Sequence, residues 1–508
     1  MAPTQRAFYL DSASCSGCKA CQVACKDWNG LQDGRLWRRV IEVEGGGWAR
    51  SGAAWRHSVF AYNLSLSCGH CAQPACVEAC PAAAIHKRED GLVLIEAGKC
   101  LGCEYCSWAC PYGAPQYDPQ AGVMGKCDFC AGRLEAGKEP ACVAACPLRA
   151  LHSGEQAGLE KRFGPLQPLY PLPDPALTRP ALFLKPHPWA AARPGGNGAA
   201  QPLPALASGA GFAPSGGTSW KKHALVLFTL LMQAAAGLLA AGFSAALLLQ
   251  LRLGPAAALA PLQAAARLAL PLAGLGLLAS LLHLGRPERA PRAAANLRRS
   301  WLSREVLAAL LFCALCALFS GLQWARPAPG GAGLALAGAA AGAGLLLLTC
   351  MSLVYRLPAV PAWQAPAAPL FFFAGAFLLG ALSLAALLAV QGGAGAAWLP
   401  SLLRALASAA LFCLALLAPA SRAWGRRLAR LAGAAGERRG GLSFTRPLRL
   451  RQLLLGACAL LLAGFLLLPA SGPAPALLLW AALALALAAE ACGRVLFYRA
   501  LVVGRLGP

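Results

Sequence analysis

Sixteen cysteines between residues 15 and 146 constrain this 508-residue chain more than any other feature, because they fall into four groups of regular spacing. The groups are Cys15-x2-Cys18-x2-Cys21-x3-Cys25, Cys68-x2-Cys71-x4-Cys76-x3-Cys80, Cys100-x2-Cys103-x2-Cys106-x3-Cys110 and Cys127-x2-Cys130-x11-Cys142-x3-Cys146. Three thiolates on one tight loop can wrap a four-iron cubane, and the fourth then points at a neighbouring cubane. The pattern predicts four [4Fe-4S] clusters.

Zinc and disulfides are the alternatives for these cysteines. Zinc needs four thiolates per isolated site, with a longer gap between pairs, and disulfides do not require this spacing. The first 25 residues lack an apolar signal core, and Arg6 is not part of a twin-arginine pair. We therefore expect the cysteine domain to remain in the reducing cytoplasm, where thiols make better metal ligands than disulfides.

The chain after Lys222 has the composition of a membrane domain. It contains 23 arginines and only four acidic residues, Glu288, Glu305, Glu437 and Glu490. Eight apolar segments approach the roughly 20 residues that span a bilayer. They lie at 223–250, 264–284, 304–324, 331–353, 367–390, 397–418, 450–469 and 474–492. Because the formal charge of +24 is distributed over the loops, it does not indicate a nucleic-acid partner.

Basic residues are unequally distributed between the two sides of these eight segments. Twenty-one Lys and Arg lie on the side of the termini, and four lie on the other side, namely Arg252, Arg267, Arg326 and Arg404. Loops rich in Lys and Arg stay in the cytoplasm. We therefore expect a multi-pass protein of the bacterial inner membrane, with both termini and the cysteine domain in the cytoplasm.

The predicted fold is an α+β double ferredoxin-like iron–sulfur domain followed by an all-α domain of eight transmembrane helices. We place the four-cluster domain at residues 1–152, a Pro/Gly-rich linker and docking tail at 153–220, and the membrane anchor at 221–508. Alternating apolar residues predict short strands at Arg38–Glu44 and Trp55–Leu66.

Two cysteine-rich stretches, Lys99–Tyr117 and Pro140–Ala150, resemble the four-cluster iron–sulfur subunits of the dimethyl sulfoxide reductase family, and the likeness covers about residues 5–185. His283–Pro287 and Val354–Trp363 resemble the membrane anchor of that family. The resemblance implies a fusion of two subunits that oxidises menaquinol and passes electrons to a separate molybdopterin subunit in anaerobic respiration. The chain would then be the quinol-oxidising component of an oxidoreductase complex, and the terminal substrate would react elsewhere.

The resemblance also implies how the cysteines are shared. Set A combines Cys15, Cys18 and Cys21 with Cys146; set B combines Cys127, Cys130 and Cys142 with Cys25; set C combines Cys68, Cys71 and Cys76 with Cys110; and set D combines Cys100, Cys103 and Cys106 with Cys80. Related nitrate reductase subunits have Trp in place of Cys103 and hold a [3Fe-4S] cluster there. Cysteine at this position implies a full cubane.

Quinol oxidation releases protons, so ionisable residues in the membrane half are the candidates for its site. In the resembling family, a histidine and an acid at the places of His283 and Glu305 are implicated in quinol binding. The alternatives are an interfacial role for His283 and a helix N-terminal role for Glu305. Glu490 is a weaker candidate because it has Arg494 one turn away as a partner. No haem is expected, since the family anchor has none.

Three other functions stay open at this point. A polysulfide or thiosulfate reductase-type anchor also has eight spans and similar clusters. The same module could run in reverse and reduce quinone from a cytoplasmic donor, or it could serve as a cluster-bearing scaffold without electron flow. The sequence leaves open the terminal acceptor and the cluster potentials, which depend on hydrogen bonds and exposure around each cluster.

Overall fold

The N-terminal part of the computed structural model is a mixed α/β domain, and the C-terminal part is a bundle of long helices. The structure describes residues 4–164, 173–185, 187–188, 219–325, 331–364, 367–391, 396–434, 444–468 and 474–501. This architecture confirms the predicted fold class.

Short strands and helices make up the N-terminal domain. They are β1 (Arg6–Asp11), α1 (Ala20–Trp28), β2 (Arg39–Gly45), β3 (Trp48–Ser51), β4 (Ala54–His57), β5 (Phe60–Leu66), α2 (Ala75–Ala79), β6 (Ile85–Lys87), β7 (Val93–Ile95), α3 (Tyr105–Ala109), β8 (Gln116–Asp118), β9 (Val123–Gly125), α4 (Ala131–Glu135), α5 (Ala141–Ala144), β10 (Leu151–Glu155), α6 (Gln156–Phe163) and β11 (Leu182–Lys185). Their brevity leaves the cysteine loops as the main organising feature.

The largest sheet in the described residues joins both ends of the N-terminal domain. Its strand order is β10-β1-β11, with β10 antiparallel and β11 parallel to β1. Strand β11 lies within the segment that we predicted as linker and docking tail, and it packs Phe183 and Leu184 into the apolar interior. Residues 189–218 of that segment lie outside the described residues, and the proposed domain boundaries remain predictions.

The two predicted strands form most of an extended hairpin. β2 pairs with β5 so that Ile41 faces Leu64, and Glu42 alternates outward between the buried Ile41 and Val43. This alternation is typical of a strand with one buried face. The stretch predicted as one strand at Trp55–Leu66 divides into β4 and β5, and β4 pairs with the exposed β3.

In the part of the membrane half that the structure describes there are eight long helices, one for each predicted segment. They are α7 (Ser219–Leu253), α8 (Leu259–Leu282), α9 (Trp301–Ala325), α10 (Gly331–Val354), α11 (Ala367–Gln391), α12 (Leu399–Ala434), α13 (Thr445–Leu467) and α14 (Ala474–Arg499). All eight are long and apolar enough to cross a membrane. Small residues bring some of them close together, as where a Cβ on Gly237 of α7 would overlap the carbonyl of Ala376 on α11.

Two arginines that we counted as cytoplasmic loop charges lie inside this bundle. Arg451 is 1% exposed and Arg494 is 2% exposed. Helix α13, which contains Arg451, begins before the predicted apolar segment, and helix α14, which contains Arg494, ends after its predicted segment. Both arginines therefore lie on helices, from which their side chains turn into the bundle. Without these two, nineteen basic residues remain on the side of the termini against four on the other.

Candidate metal centres and their junction with the membrane helices

The first and third cysteine groups form loops with the same backbone conformation. Gly17 and Lys19 have φ values of 73° and 62°, and the equivalent Gly102 and Glu104 have values of 68° and 62°. Left-handed conformations are uncommon for residues with a side chain. Each loop therefore curls tightly before its short helix, α1 or α3, and this curl turns the three thiols of the group toward one centre.

Cysteines that are distant in the sequence interact electrostatically within sets A and B, and their assignment as shared cluster ligands remains a prediction. Burial raises the pKa of Cys15, and the charges of Cys21, Cys146 and Cys18 raise it further. Burial likewise raises the pKa of Cys25 to about 12, with contributions from the charges of Cys142 and Cys130. Cys146 and Cys25 thus stand close to the thiols of another group.

Sets C and D assemble in the same way. Burial raises the pKa of Cys76, to which the charges of Cys110, Cys68 and Cys71 add. Burial also raises the pKa of Cys103, and the charges of Cys80 and Cys100 add to it. In both sets the fourth thiol comes from the other group.

Electrostatic couplings between thiols of neighbouring sets indicate a linear order. Beyond burial, the charge of Cys142 of set B raises the pKa of Cys21 of set A. The same electrostatic coupling links Cys68 of set C to Cys127 of set B, and Cys76 of set C to Cys106 of set D; in both cases it adds to burial in raising the pKa of the second thiol. The four sets therefore follow one another as A, B, C and D.

The side chains and backbone around these sets fit iron–sulfur clusters. All 22 cysteines are free thiols, and within the described residues no three His, Cys, Asp or Glu side chains are close enough to hold a single metal ion. Backbone amides donate to sulfur, for example Ala84 N to Cys80 Sγ at 3.3 Å and Met124 N to Cys100 Sγ at 3.3 Å. Separate cavities are lined by the four cysteines of set A and by the four of set D.

Set D lies against the membrane half. The loop between α8 and α9, together with the first turn of α9, donates hydrogen bonds to the backbone in and directly after the second and third cysteine groups. The donors and acceptors are Arg286 N to Leu101 O (3.0 Å), Asn296 Nδ2 to Cys80 O (2.9 Å), Ser300 Oγ to Ala79 O (2.8 Å) and Ser303 Oγ to Pro81 O (3.2 Å). A Cβ on Gly285 of this loop would overlap the carbonyl oxygen of Gly122, so the two domains touch backbone to backbone.

Glu305 lies in the first turns of α9, at this junction. It is 3% exposed, and its Oε1 atom has no hydrogen-bond partner in the described structure. The next residue, Val306, packs against a buried apolar cluster that includes Cys80, Cys100 and Cys106 of set D. Burial raises the pKa of Tyr105, which follows Cys103 by two positions, and the charge of Glu305 raises it further. The carboxylate is therefore buried beside set D.

His283 stands directly after the last residue of α8 and is partly exposed. Its neighbour Leu284 packs against the same buried cluster as Val306. The structure thus places both sequence candidates for the quinol site at the end of the bundle that faces set D, His283 at its margin and Glu305 in its interior.

An aromatic and hydroxyl cluster near Glu305 was not foreseen as part of the site. The hydroxyls of Tyr355 and Tyr498 are 2.6 Å apart, and the Trp363 indole donates to Phe497 O at 2.8 Å. The ring of Trp108, from α3, meets that of Trp363 edge to face at 5.8 Å. The stretch Val354–Trp363 carries part of the resemblance to the anchor, but the sequence analysis assigns no role to its aromatic residues.

Glu490 has a different partner from the one we expected. Its Oε1 atom is 3.0 Å from Nη2 of Arg451 on α13, and both side chains are buried. Arg494 instead donates to Gln233 Oε1 at 2.8 Å. Helix α13 crosses close to α14 at this level, so the interhelical pair replaces the one within α14.

Comparisons with known proteins match both halves. The model of the 4Fe-4S dicluster domain matches residues 59–156, and that of the DMSO reductase anchor subunit (DmsC) matches residues 216–500. The probable anaerobic dimethyl sulfoxide reductase chain YnfG of Escherichia coli (strain K12) is 47% identical over 194 residues, which are 38% of this protein and 94% of that one.

A more distant relative belongs to another reductase. The thiosulfate reductase electron transfer subunit PhsB of Salmonella typhi is 41% identical over 145 residues, 28% of this protein and 72% of that one. The two domain models follow one another along a single polypeptide. The protein therefore belongs to the DMSO reductase anchor subunit family, with an iron–sulfur domain similar to dimethyl sulfoxide reductase chain YnfG fused in front of the anchor.

Proposed function

We propose that this protein oxidises menaquinol at the junction between set D and the membrane helices and passes the electrons through four [4Fe-4S] clusters to a separate molybdopterin catalytic subunit. The observation that carries this proposal is the buried Glu305 carboxylate with an unpartnered oxygen beside set D. An unpartnered buried carboxylate is costly unless it serves a ligand or a proton. A quinol hydroxyl supplies the missing hydrogen-bond donor.

Glu305 and His283 then divide the proton chemistry of the site. Glu305 accepts the proton of the quinol hydroxyl, and the imidazole of His283 accepts the second proton at the exposed margin. With the iron–sulfur domain and both termini in the cytoplasm, as the distribution of arginines favours, both protons return to the cytoplasm. The site would then build no proton gradient by itself.

The order of the four sets supports a path away from the membrane. Clusters in these sets supply one-electron transfer when bound. Set D is adjacent to Glu305, and set A lies at the other end of the order, where Cys18 is exposed. Residues around Cys18 would meet the catalytic subunit, which the anchor family implies as a partner. A molybdopterin cofactor in that subunit is part of the proposal.

A second candidate is a thiosulfate reductase-type complex, which would use the same protein with another catalytic subunit. The observation in its favour is the 41% identity of the N-terminal domain to the thiosulfate reductase subunit. The dimethyl sulfoxide reductase relative is 47% identical over a longer stretch, and the anchor model adds the same assignment for the membrane half. We therefore favour the dimethyl sulfoxide reductase type.

The test uses membranes that contain the full-length protein and a reduced menaquinol analogue, with cluster reduction followed by electron paramagnetic resonance. Glu305→Gln and His283→Arg should abolish reduction by the quinol, whereas dithionite should still reduce all clusters. Glu288→Gln is the control, since Glu288 lies exposed in the same loop. Wild-type quinol oxidation in both site variants would place the quinol site elsewhere, and Glu490 would be tested next.

A further inference from the structure

Arg38 is buried in the middle of the iron–sulfur domain. It is 1% exposed, and among the described residues its guanidinium donates to serine oxygens alone, Ser65 O and Oγ at 3.2 Å and Ser67 Oγ at 2.9 Å. The Ser65 hydroxyl in turn is 3.2 Å from Cys21 Sγ of set A. No carboxylate in the described part of the protein pairs with Arg38.

Lys126 is a second buried cation of the same kind. It is 3% exposed, and its ammonium donates to the carbonyl oxygens of Val93 and, at 3.1 Å, of Cys127. It too has no carboxylate partner among the residues that the structure describes. Carbonyl dipoles satisfy its hydrogen bonds, but they leave a full positive charge in the interior, which is expensive without a compensating anion.

The compensating groups are cysteines from two sets in each case. The Ser65 hydroxyl that accepts from Arg38 lies 3.2 Å from Cys21 Sγ of set A, and the backbone of Arg38 has a hydrogen-bond contact with Cys25 of set B. Lys126 directly precedes Cys127 of set B and donates to its carbonyl oxygen, and its side chain also has a hydrogen-bond contact with Cys68 of set C. Arg38 thus stands between sets A and B, and Lys126 between sets B and C.

We infer that Arg38 and Lys126 are fixed counter-charges that raise the reduction potentials of the clusters on either side of them. The inference rests on the proposed function, since it takes the four sets to hold clusters. Accepting an electron adds one negative charge to a cluster, and a nearby cation in a poorly solvated interior stabilises the reduced form. The potential of the cluster in set B rises most because this set faces both cations. Sets A and C face one cation each, so the potentials of their clusters rise less.

Set D differs from the other three sets. The described cations that contact its backbone belong to the membrane-side loop, such as Arg289, which donates to Cys100 O at 3.0 Å and is partly exposed. Water screens such a charge. The two buried cations therefore stabilise an electron on the clusters of sets A, B and C relative to the cluster of set D. This difference favours electron transfer away from the quinol.

The experiment measures the potential of each cluster by redox titration and electron paramagnetic resonance on the full-length protein in membranes. Arg38→Gln removes the first charge and keeps a polar amide at this position, and Lys126→Met removes the second charge. Each variant should shift the reduced-to-oxidised ratio of its two adjacent clusters at least tenfold toward oxidised, a fall of about 59 mV for one electron. The reduction potential of the cluster in set D should not change in either variant.

Charge-conserving variants and an exposed control complete the design. Arg38→Lys and Lys126→Arg should keep the potentials within about a threefold change in that ratio, and Lys99→Met, which removes an exposed charge next to Cys100, should change nothing. Four clusters with unchanged potentials in Arg38→Gln and Lys126→Met would overturn the inference, as would an equal shift of all four. Fewer than four clusters in the unmodified protein would instead contradict the proposed function. If one variant fails to assemble its clusters, the cluster potentials of the other variant test the inference.

Discussion

The hydroxyl of Tyr105, which lies between two cysteines of set D, donates a hydrogen bond of 2.7 Å to the carbonyl of Val354 at the end of α10. This bond joins the iron–sulfur domain to the membrane bundle through the interior of the junction. Trp108, one turn further along α3, packs its ring against Trp363 of the bundle. Set D is therefore held against the membrane helices by its own loop.

Tyr105→Phe should weaken this junction. The change leaves the buried Val354 carbonyl without its donor, which costs about 1–3 kcal/mol. We expect the iron–sulfur domain to lose its contact with the membrane bundle at a lower temperature in detergent. Reduction of the clusters by quinol should be slower, and the iron content should be unchanged. Tyr9→Phe, in β1 and outside the junction, is the control. Equal behaviour of the two variants would contradict a role for this bond.

Gly285→Ala should separate set D from the bundle. Its Cβ would overlap the Gly122 carbonyl oxygen, and neither backbone can retreat without breaking the neighbouring hydrogen bonds to Leu101. Overpacking of this kind costs about 1–3 kcal/mol. The measurement is quinol-dependent cluster reduction, which should fall at least tenfold. Gly274→Ala, in α8 with open space at its Cβ, should leave it unchanged.

Cys103→Trp should convert one cubane to a three-iron cluster. We expect about sixteen irons per unmodified polypeptide, from four cubanes, and a new paramagnetic signal from the oxidised variant. The altered cluster should be the one that menaquinol reduces first, because set D lies at the junction. Cys313→Ser, in the membrane half, should leave iron and spectrum unchanged. Absence of a new signal would refute the assignment of Cys103 to a cubane.

Glu490→Gln should destabilise the membrane bundle. The change leaves the Arg451 charge buried without its partner at 3.0 Å, and breaking a buried pair costs about 3–5 kcal/mol. Thermal unfolding in detergent should show a lower midpoint, and the double variant Arg451→Met, Glu490→Gln should recover part of it. A midpoint that stays at the wild-type value would mean that the pair contributes little.

Reporter fusions test the orientation of the protein in the membrane. Eight spans return the polypeptide to its starting side, so a reporter fused to the C-terminus should be active only if it is of a type that works in the cytoplasm. An active alkaline phosphatase fusion at that position, which requires the periplasm, would contradict both the distribution of arginines and the number of spans.

Local sequence by itself determined the classes of structure in this protein. The spacing of Cys100, Cys103 and Cys106 was enough to predict a cluster loop, because three ligands on one short loop need no contact with the rest of the polypeptide. The eight helices were predictable for a similar reason, since a helix in a membrane must satisfy all of its backbone hydrogen bonds within itself. Helix ends were less well defined, and Arg451 and Arg494 were misplaced because they turn inward.

Tertiary structure alone decided the contacts between distant residues. Ser300 meets the carbonyl of Ala79 across 221 positions, and nothing in the spacing of either segment specifies that meeting. The same holds for the strand Leu182–Lys185 beside β1, for Glu305 beside set D, and for the pair between Arg451 and Glu490. Each depends on how two independently formed elements pack, and packing surfaces are set by side chains from several segments at once rather than by the pattern of any one of them.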